Sequence, residues 1–439
     1  VAEHAAGSDA WWQAKQAQGI PEISGTASGT CCVTFWWRDP TGDESTSDTK
    51  RVWIYLTGIT DHHKSSAPQS LTRLPGTDAW YWRTELDAAW RGSYCFIPST
   101  KTDDFVPDAF ADVPARHALR EGWRALLPQA IPDPFNPHHW RGGRGHPMSA
   151  LHLPDAPAQP GWEEKDVAYT PAQEFLWHSE RLGNARRVWL FTTGGDDAPL
   201  TRPLAILLDG QFWANSQPVW PALQALTDRG VLPPAVYLLV DVIDTAHRSR
   251  ELPCNAAFWE ALWEELLPQA RHYTRWRDAP DTTVIAGQSF GGLAALYAGL
   301  RWPQRFGCVL SQSGSFWWPT REASGEGGWL VEELAADRFD PRGLRIYLEA
   351  GLHEPLILQA NQRLVSLLQR TQPPLFWRQV EGGHDALCWR GGLTDGLAAL
   401  WAATPAPTPF QDRSDVWNSA IPSIIRRAVS GCSKITKNR

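Results

Sequence analysis

Gly287-Gln288-Ser289-Phe290-Gly291-Gly292 sets a serine among glycines, with an apolar run, Thr283-Val284-Ile285-Ala286, entering it and a helix-forming run, Leu293-Ala294-Ala295-Leu296-Tyr297-Ala298, leaving it. A G-x-S-x-G turn of this kind bends the chain sharply from strand to helix and lifts the serine hydroxyl above the carboxyl edge of a sheet. The glycines remove side chains that would block so close a backbone approach. Acyl transfer is the chemistry that suits the position: Ser289 Oγ attacks a carbonyl, and the Phe290 amide, at the start of a helix, receives the negative charge that develops. Taken alone, the pattern also describes an ordinary Gly-rich connection. The strand before it and the helix after it favour the nucleophile.

A serine nucleophile needs a base and an acid to orient the base, and in the α/β-hydrolase layout the acid and then the histidine follow the serine in the chain. Only His353 and His384 come after Ser289. His353 directly precedes a carboxylate in Gly351-Leu352-His353-Glu354, a poor place for the last member. His384 follows a strand-like run, Phe376-Trp377-Arg378-Gln379-Val380, that breaks at Gly382-Gly383, and is the expected general base. The acid should close the preceding strand, Leu344 to Gly351. Glu354 lies three residues past the strand-ending glycine, and its rival Glu349 lies inside the strand. Such an acid holds the imidazole tautomer and stabilises the imidazolium. Asp385 adjoins the histidine and would not normally reach its ring. A second oxyanion donor is expected where the run Pro203 to Leu208 stops at Asp209-Gly210, with the Gln211 amide joining that of Phe290. An ordinary Asp-Gly turn fits the same residues.

The rest of the chain must build the elements that carry these groups. Its 439 residues exceed what one core commonly holds, so two domains are expected. Residues 1 to about 165 present short aromatic and β-branched runs, Val33 to Arg38, Arg51 to Leu56, Trp80 to Leu86 and Gly92 to Ile97, separated by Gly, Pro and Asp turns. That spacing predicts an all-β, immunoglobulin-like sandwich. A Pro-rich stretch from Ile131 to Pro160 reads as a loosely structured linker. From about 166 to 403 strands alternate with helices such as Asn255 to Ala270 and Gln359 to Gln369, which predicts a largely parallel α/β sheet. Residues 404–439 begin with alternating prolines and end in a basic tail.

Composition narrows the partners. A net charge of −7 supplies no broad basic footprint for nucleic acid. No apolar run approaches the roughly 20 residues that span a bilayer, and the polar start Val1 to Ala10 lacks a signal-peptide core, so an intracellular protein is expected. Seven scattered cysteines suit that compartment and show neither a disulfide framework nor a zinc spacing. The pairs His62-His63 and His138-His139 read as loop residues rather than metal ligands. Tryptophan stands out, with 26 residues against one methionine. Most should be core and sheet-face residues. Trp213, Trp317, Trp318 and Trp389 fall beside the proposed site loops and are expected to offer exposed aromatic surface to a substrate with rings.

Several segments together resemble the ferric enterobactin (enterochelin) esterases of bacterial iron uptake, over residues 10 to 403. They are Thr34-Phe35-Trp36-Trp37-Arg38-Asp39-Pro40, Trp90 to Pro98, Gly142-Gly143-Arg144-Gly145-His146, Glu251-Leu252-Pro253-Cys254-Asn255, the Ser289 elbow, and Gly382-Gly383-His384-Asp385-Ala386-Leu387-Cys388-Trp389-Arg390. The resemblance implies a cytoplasmic enzyme with a β-sandwich before an α/β-hydrolase domain, cleaving the trilactone of a catecholate siderophore, glucosylated forms included. Ser289 and His384 would be its nucleophile and base. It implies no cofactor, iron entering only as part of the substrate. A trianionic tris-catecholate calls for fixed cations and aromatic faces. Arg248, just past the strand ending at Val240, is the first candidate, against a surface ion pair with Glu251. Arg144 is a second by family likeness alone. Another carboxylesterase of the same fold, of the feruloyl esterase type, and a siderophore-binding protein with a vestigial elbow are the alternatives.

Overall fold

Alternation along the aromatic runs decides the first unit. In the strand Thr30–Arg38, Cys31, Val33, Phe35 and Trp37 point to one face and are buried there, while Trp36 packs on the other face with Trp12. The computed structural model describes residues 4–64, 67–102, 105, 113–141, 146–164, 166–195, 201–320 and 328–402. Contacts divide the chain into two compact units, Val1–Ala156 with Glu381–Cys388, and Pro157–Val380 with Trp389–Arg439.

The first unit carries strands β1 (Glu22–Gly25), β2 (Thr30–Arg38), β3 (Arg51–Leu56), β4 (Gln69–Arg73), β5 (Ala79–Asp87), β6 (Arg91–Ser99), β7 (His139–Arg141) and β8 (Pro147–His152), in the order β1-β2-β5-β4-β3-β6-β8-β7. All are antiparallel. Strand β4 passes from one layer to the other, pairing Leu71 with Val52 of β3 and Thr72 with Tyr81 of β5. Phe35, Val52, Ile54, Trp80 and Phe96 meet in the core between the layers. The outer faces are covered too. The helix Asp9–Gln18 brings Trp12 onto Trp36, and the helix Val113–Leu126 brings Leu119 and Trp123 onto Trp53, Tyr55 and Ile97. Sheets buried on both faces account for much of the tryptophan in this third of the chain.

The second unit holds one sheet of strands β9 (Gln173–Ser179), β10 (Asn184–Thr192), β11 (Leu204–Leu207), β12 (Val236–Val240), β13 (Val284–Gln288), β14 (Cys308–Gln312), β15 (Arg345–Gly351) and β16 (Leu375–Val380). Their order is β16-β15-β14-β13-β11-β12-β10-β9. The pairs β9·β10 and β10·β12 are antiparallel and the other five are parallel. Helices Phe290–Arg301 and Pro355–Leu368 pack against it, and Ile206, Leu238, Ile285, Leu296, Val309, Ile346 and Leu364 share its core.

Three expectations change. The Pro-rich stretch is not a linker up to Ala156: it supplies β7 and β8, so that His139 opens a strand, and Asp133 and Asn136 are buried against Tyr94 at 2.6 and 3.1 Å. Strands β9 and β14 and both helices of the first unit escaped the sequence pattern. The units part at Ala156/Pro157, not near 165, and Glu381–Cys388 belongs with the sandwich. The predicted tail lies outside the described residues, as does Arg144. No helix among the described residues is long and apolar enough to cross a membrane, and the six described cysteines are free thiols.

Candidate active site

Strand β13 ends and the helix Phe290–Arg301 begins at Ser289, whose φ of 59° and ψ of −121° put a non-glycine residue in a strained region. The turn closes only because its neighbours lack side chains. A Cβ on Gly287 would overlap the Gly291 carbonyl. The Ser289 amide donates to Gln312 O at 3.0 Å, the Ser315 amide donates to Ser289 O at 3.1 Å, and the Ser289 and Ser315 hydroxyls are 3.4 Å apart. Phe290 is the first residue of the helix, so its amide has no intrahelical acceptor and is available to an anion.

A second turn stands alongside. After β11 the chain bends at Asp209, with φ of 52°, and a Cβ on Gly210 would overlap the backbone of Leu239 and Val240. Gln211 follows, its side-chain Oε1 accepting from the Val242 amide at 3.2 Å. Arg248 ties the two turns together. Its Nε and Nη2 donate to the Asp209 carboxylate at 2.9 and 3.0 Å, Nη2 also reaches Gln288 O at 3.3 Å, and the guanidinium lies 5.5 Å from the Phe290 ring. The surface ion pair with Glu251 does not form. Glu251 is buried against Arg186 at 2.7 Å. Arg248 thus ties the elbow to the Asp209 turn, a pair of contacts its sequence position did not reveal.

The two candidate acids have different surroundings. Both oxygens of Glu349 are taken: Oε1 accepts from Tyr347 Oη at 2.7 Å and from Arg378 Nη2 at 3.0 Å, and Oε2 from Gln312 Nε2 at 2.9 Å. Arg378 also pairs with Asp395 at 2.8 Å. Glu354 stands at the N-cap of the helix Pro355–Leu368, and its Oε2 accepts from Ser313 Oγ and the Gly351 amide, each at 2.7 Å. Burial pushes its carboxyl up to about 7 from an ordinary 4.5, against the pull of the Ser313 hydroxyl, the Gly351 amide and nearby His353. A carboxylate held so close to neutrality suits a group that answers to the charge of an imidazole.

Two of the four tryptophans, Trp213 and Trp317, are buried and do not offer the predicted exposed surface. Trp213 is 1% exposed and donates Nε1 to Gln288 Oε1 at 3.1 Å, and Trp317 is 7% exposed beside Phe290. Trp389 is half-buried and donates Nε1 to Ser313 Oγ at 3.0 Å, so it backs the residue that holds Glu354. Trp318 is half-buried. Trp213 and Trp389 brace the site because an indole buries a large area while its N–H fixes a polar partner. Beneath the elbow runs a row that the sequence did not disclose, Gln288↔Gln312↔Glu349↔Arg378, one residue from each of four adjacent strands in register. A signal did exist in the polar residues ending apolar runs.

His384 is described within the first unit, on the segment Glu381–Cys388. It is half-exposed, and its ring packs beside that of His63, with centroids 4.6 Å apart and planes tilted by 34°. Its neighbour Asp385 accepts from the Ser93 amide at 2.7 Å and from Ser93 Oγ at 3.0 Å, so this carboxylate is fully engaged in holding the backbone.

Two family models match the chain: "Enterochelin esterase, N-terminal" over residues 32–162 and "Putative esterase" over residues 179–400. The chain is 58% identical over 408 residues to the iron(III) enterobactin esterase of Escherichia coli O6:H1, covering 93% of this chain and 98% of the relative. The chain belongs to the enterobactin esterase family. Among solved members of that family, the ferric enterobactin esterase from Salmonella typhimurium is 60% identical, with a TM-score of 0.85 over 90% of this chain and 98% of the other. The enterobactin esterase from Shigella flexneri, crystallised in the presence of enterobactin, is 57% identical, with a TM-score of 0.79 over 90% and 98%. The α/β-hydrolase fold with a preceding all-β domain is therefore shared across the enterobactin esterases.

Proposed function

We propose that this chain is a serine esterase that hydrolyses the trilactone of ferric enterobactin, or of its glucosylated relatives, in the cytoplasm. The observation that carries the proposal is a strained serine elbow on a chain nearly full-length in its identity to iron(III) enterobactin esterases. That extent of identity, in both halves of the chain, favours the trilactone over a feruloyl ester.

Ser289 Oγ attacks the ester carbonyl carbon while His384 takes its proton. The Phe290 and Gln211 amides hold the resulting oxyanion, and Glu354 keeps the imidazole oriented and stabilises it once charged. Collapse of the tetrahedral intermediate breaks the ester C–O bond, and His384 returns the proton to the departing serine hydroxyl of the substrate. Water then repeats the sequence on the acyl-enzyme and frees a linear chain. Iron takes part only as cargo of the substrate, and no cofactor is required. Arg144 is the proposed cation for the substrate's charge, while Arg248 contributes through the two turns it joins and through whatever of its half-buried guanidinium faces the ligand.

The test is a chromatographic time course on ferric enterobactin that resolves linear trimer, dimer and monomer of dihydroxybenzoylserine. Wild type yields these products, and Ser289→Ala slows their release by at least about a thousandfold. Hydrolysis by Ser289→Ala at the wild-type rate removes the nucleophile from the proposal.

A further inference from the structure

The sandwich unit contains a chain of ring contacts that reaches His384. Tyr55 in β3 is fixed by an edge contact with Trp123, centroids 5.1 Å apart, and its hydroxyl lies 3.2 Å from His62 Nδ1. The His62 ring packs beside His63 with centroids 4.2 Å apart and planes tilted by 36°, and His63 packs beside His384 with centroids 4.6 Å apart and planes tilted by 34°. Below the ring the backbone of the same segment is clamped to β6 and the turn after β3. The Arg91 amide donates to Glu381 O at 3.3 Å, Asp385 accepts twice from Ser93, and the Cys388 thiol lies 3.4 Å from Arg91 O. Gly382 and Gly383 sit so close to the Arg91 carbonyl and the Gly58 backbone that a Cβ at Gly383 would lie 2.7 Å from Gly58 Cα.

A general base must present one nitrogen to the nucleophile and the other to its acid, and for an imidazole that is a requirement on the rotation of its ring. The backbone clamp sets where His384 starts, and the proposed acid acts on one ring nitrogen. A ring packed beside its face limits the rotation further, because turning the imidazole would drive its edge into the neighbour. We propose that His63 is a positioning residue for the general base: its imidazole, backed by His62 and Tyr55, holds the plane of the His384 ring for proton transfer. This rests on His384 being the base. The sandwich unit then takes a direct part in preparing the chemistry.

The experiment compares kcat and KM on ferric enterobactin, and the rate at which a fluorophosphonate labels Ser289, for wild type, His63→Ala, His63→Phe and His384→Gln. All assays run well below the melting transition of each variant. His63→Ala is expected to lose about 10- to 100-fold in kcat and in labelling rate, since a misaligned group is costly even when present. KM should stay within about twofold, because an acting group and not substrate binding is disturbed. His63→Phe offers an equally flat face and should recover most of the loss. The assignment is overturned if His384→Gln is inactive while His63→Ala keeps the wild-type kcat, or if His63→Phe is as impaired as His63→Ala. A fully active His384→Gln overturns the base itself, and the role of His63 with it.

Discussion

Glu349 and Glu354 show how two buried carboxylates five positions apart acquire different work. Each is 1% exposed. Glu349 is surrounded by Arg378, Tyr347 and Gln312 and serves the sheet, whereas Glu354 accepts from the Ser313 hydroxyl and the Gly351 amide and is raised to about 7 by desolvation. The consequence for stability has a definite sign. The folded chain holds the Glu354 proton to higher pH than the unfolded chain, so the site weakens the fold as pH rises from 4.5 through 7, and the full penalty stands above 7. In Glu354→Gln an amide oxygen in place of Oε2 can still accept from both Ser313 and Gly351. The variant should therefore be more stable than wild type at pH 8 by about 2 kcal/mol, with the gain gone below pH 4.5, and should lose activity about 10²- to 10⁴-fold. Urea unfolding at the two pH values checks the first part, and equal stability at pH 8 would show that the burial penalty is misassigned. In the wild type, activity should decline as pH falls through 7, because the acid must be ionised to orient its histidine. The sequence ranked these two residues by distance past a glycine. It could not rank them by environment, since Arg378 and Tyr347 matter only once strands are in register.

At the scale of elements, the elbow and the Asp209 turn are two strand ends made to converge. Gly287 and Gly210 permit the approach, and Arg248 holds it through Asp209 and Gln288. Gly287→Ala forces a methyl into the Gly291 carbonyl, and the helix behind it must move. A loss of about 3 kcal/mol or more and of at least about a hundredfold in kcat is expected, by thermal melting and ester hydrolysis. A variant with unchanged melting temperature and kcat would mean that the turn relaxes without Ser289 moving. These elements were legible because glycine and serine spacing is local information. Strand β14 was not, because Cys308-Val309-Leu310-Ser311-Gln312 is short and buried throughout, and such a run carries no alternation. The tryptophans misled for a related reason. Trp213 and Trp317 do lie near the elbow, but proximity in sequence to a site loop says nothing about which way a ring turns, and both turned inward.

For the whole molecule, the sequence separated an all-β half from an α/β half by the change in periodicity alone. What it concealed is that the later segment Glu381–Cys388 belongs with the earlier half. No local pattern announces that a loop will be held by a serine 292 positions upstream, as Asp385 is by Ser93. That separation has a consequence in time. Every strand of both sheets has emerged once residue 380 is made, but the sandwich unit is completed only by the eight residues that follow. Closing so long a span adds little to equilibrium entropy, which grows only with the logarithm of length, yet contacts of high sequence separation form late. A chain refolding from urea should bury its tryptophans first and regain ester hydrolysis afterwards, and coincident recovery of the two signals would contradict this order. A chain made only to residue 380 thus carries the elbow serine without the segment that bears the proposed base, so ester hydrolysis is expected to be the last property the protein regains.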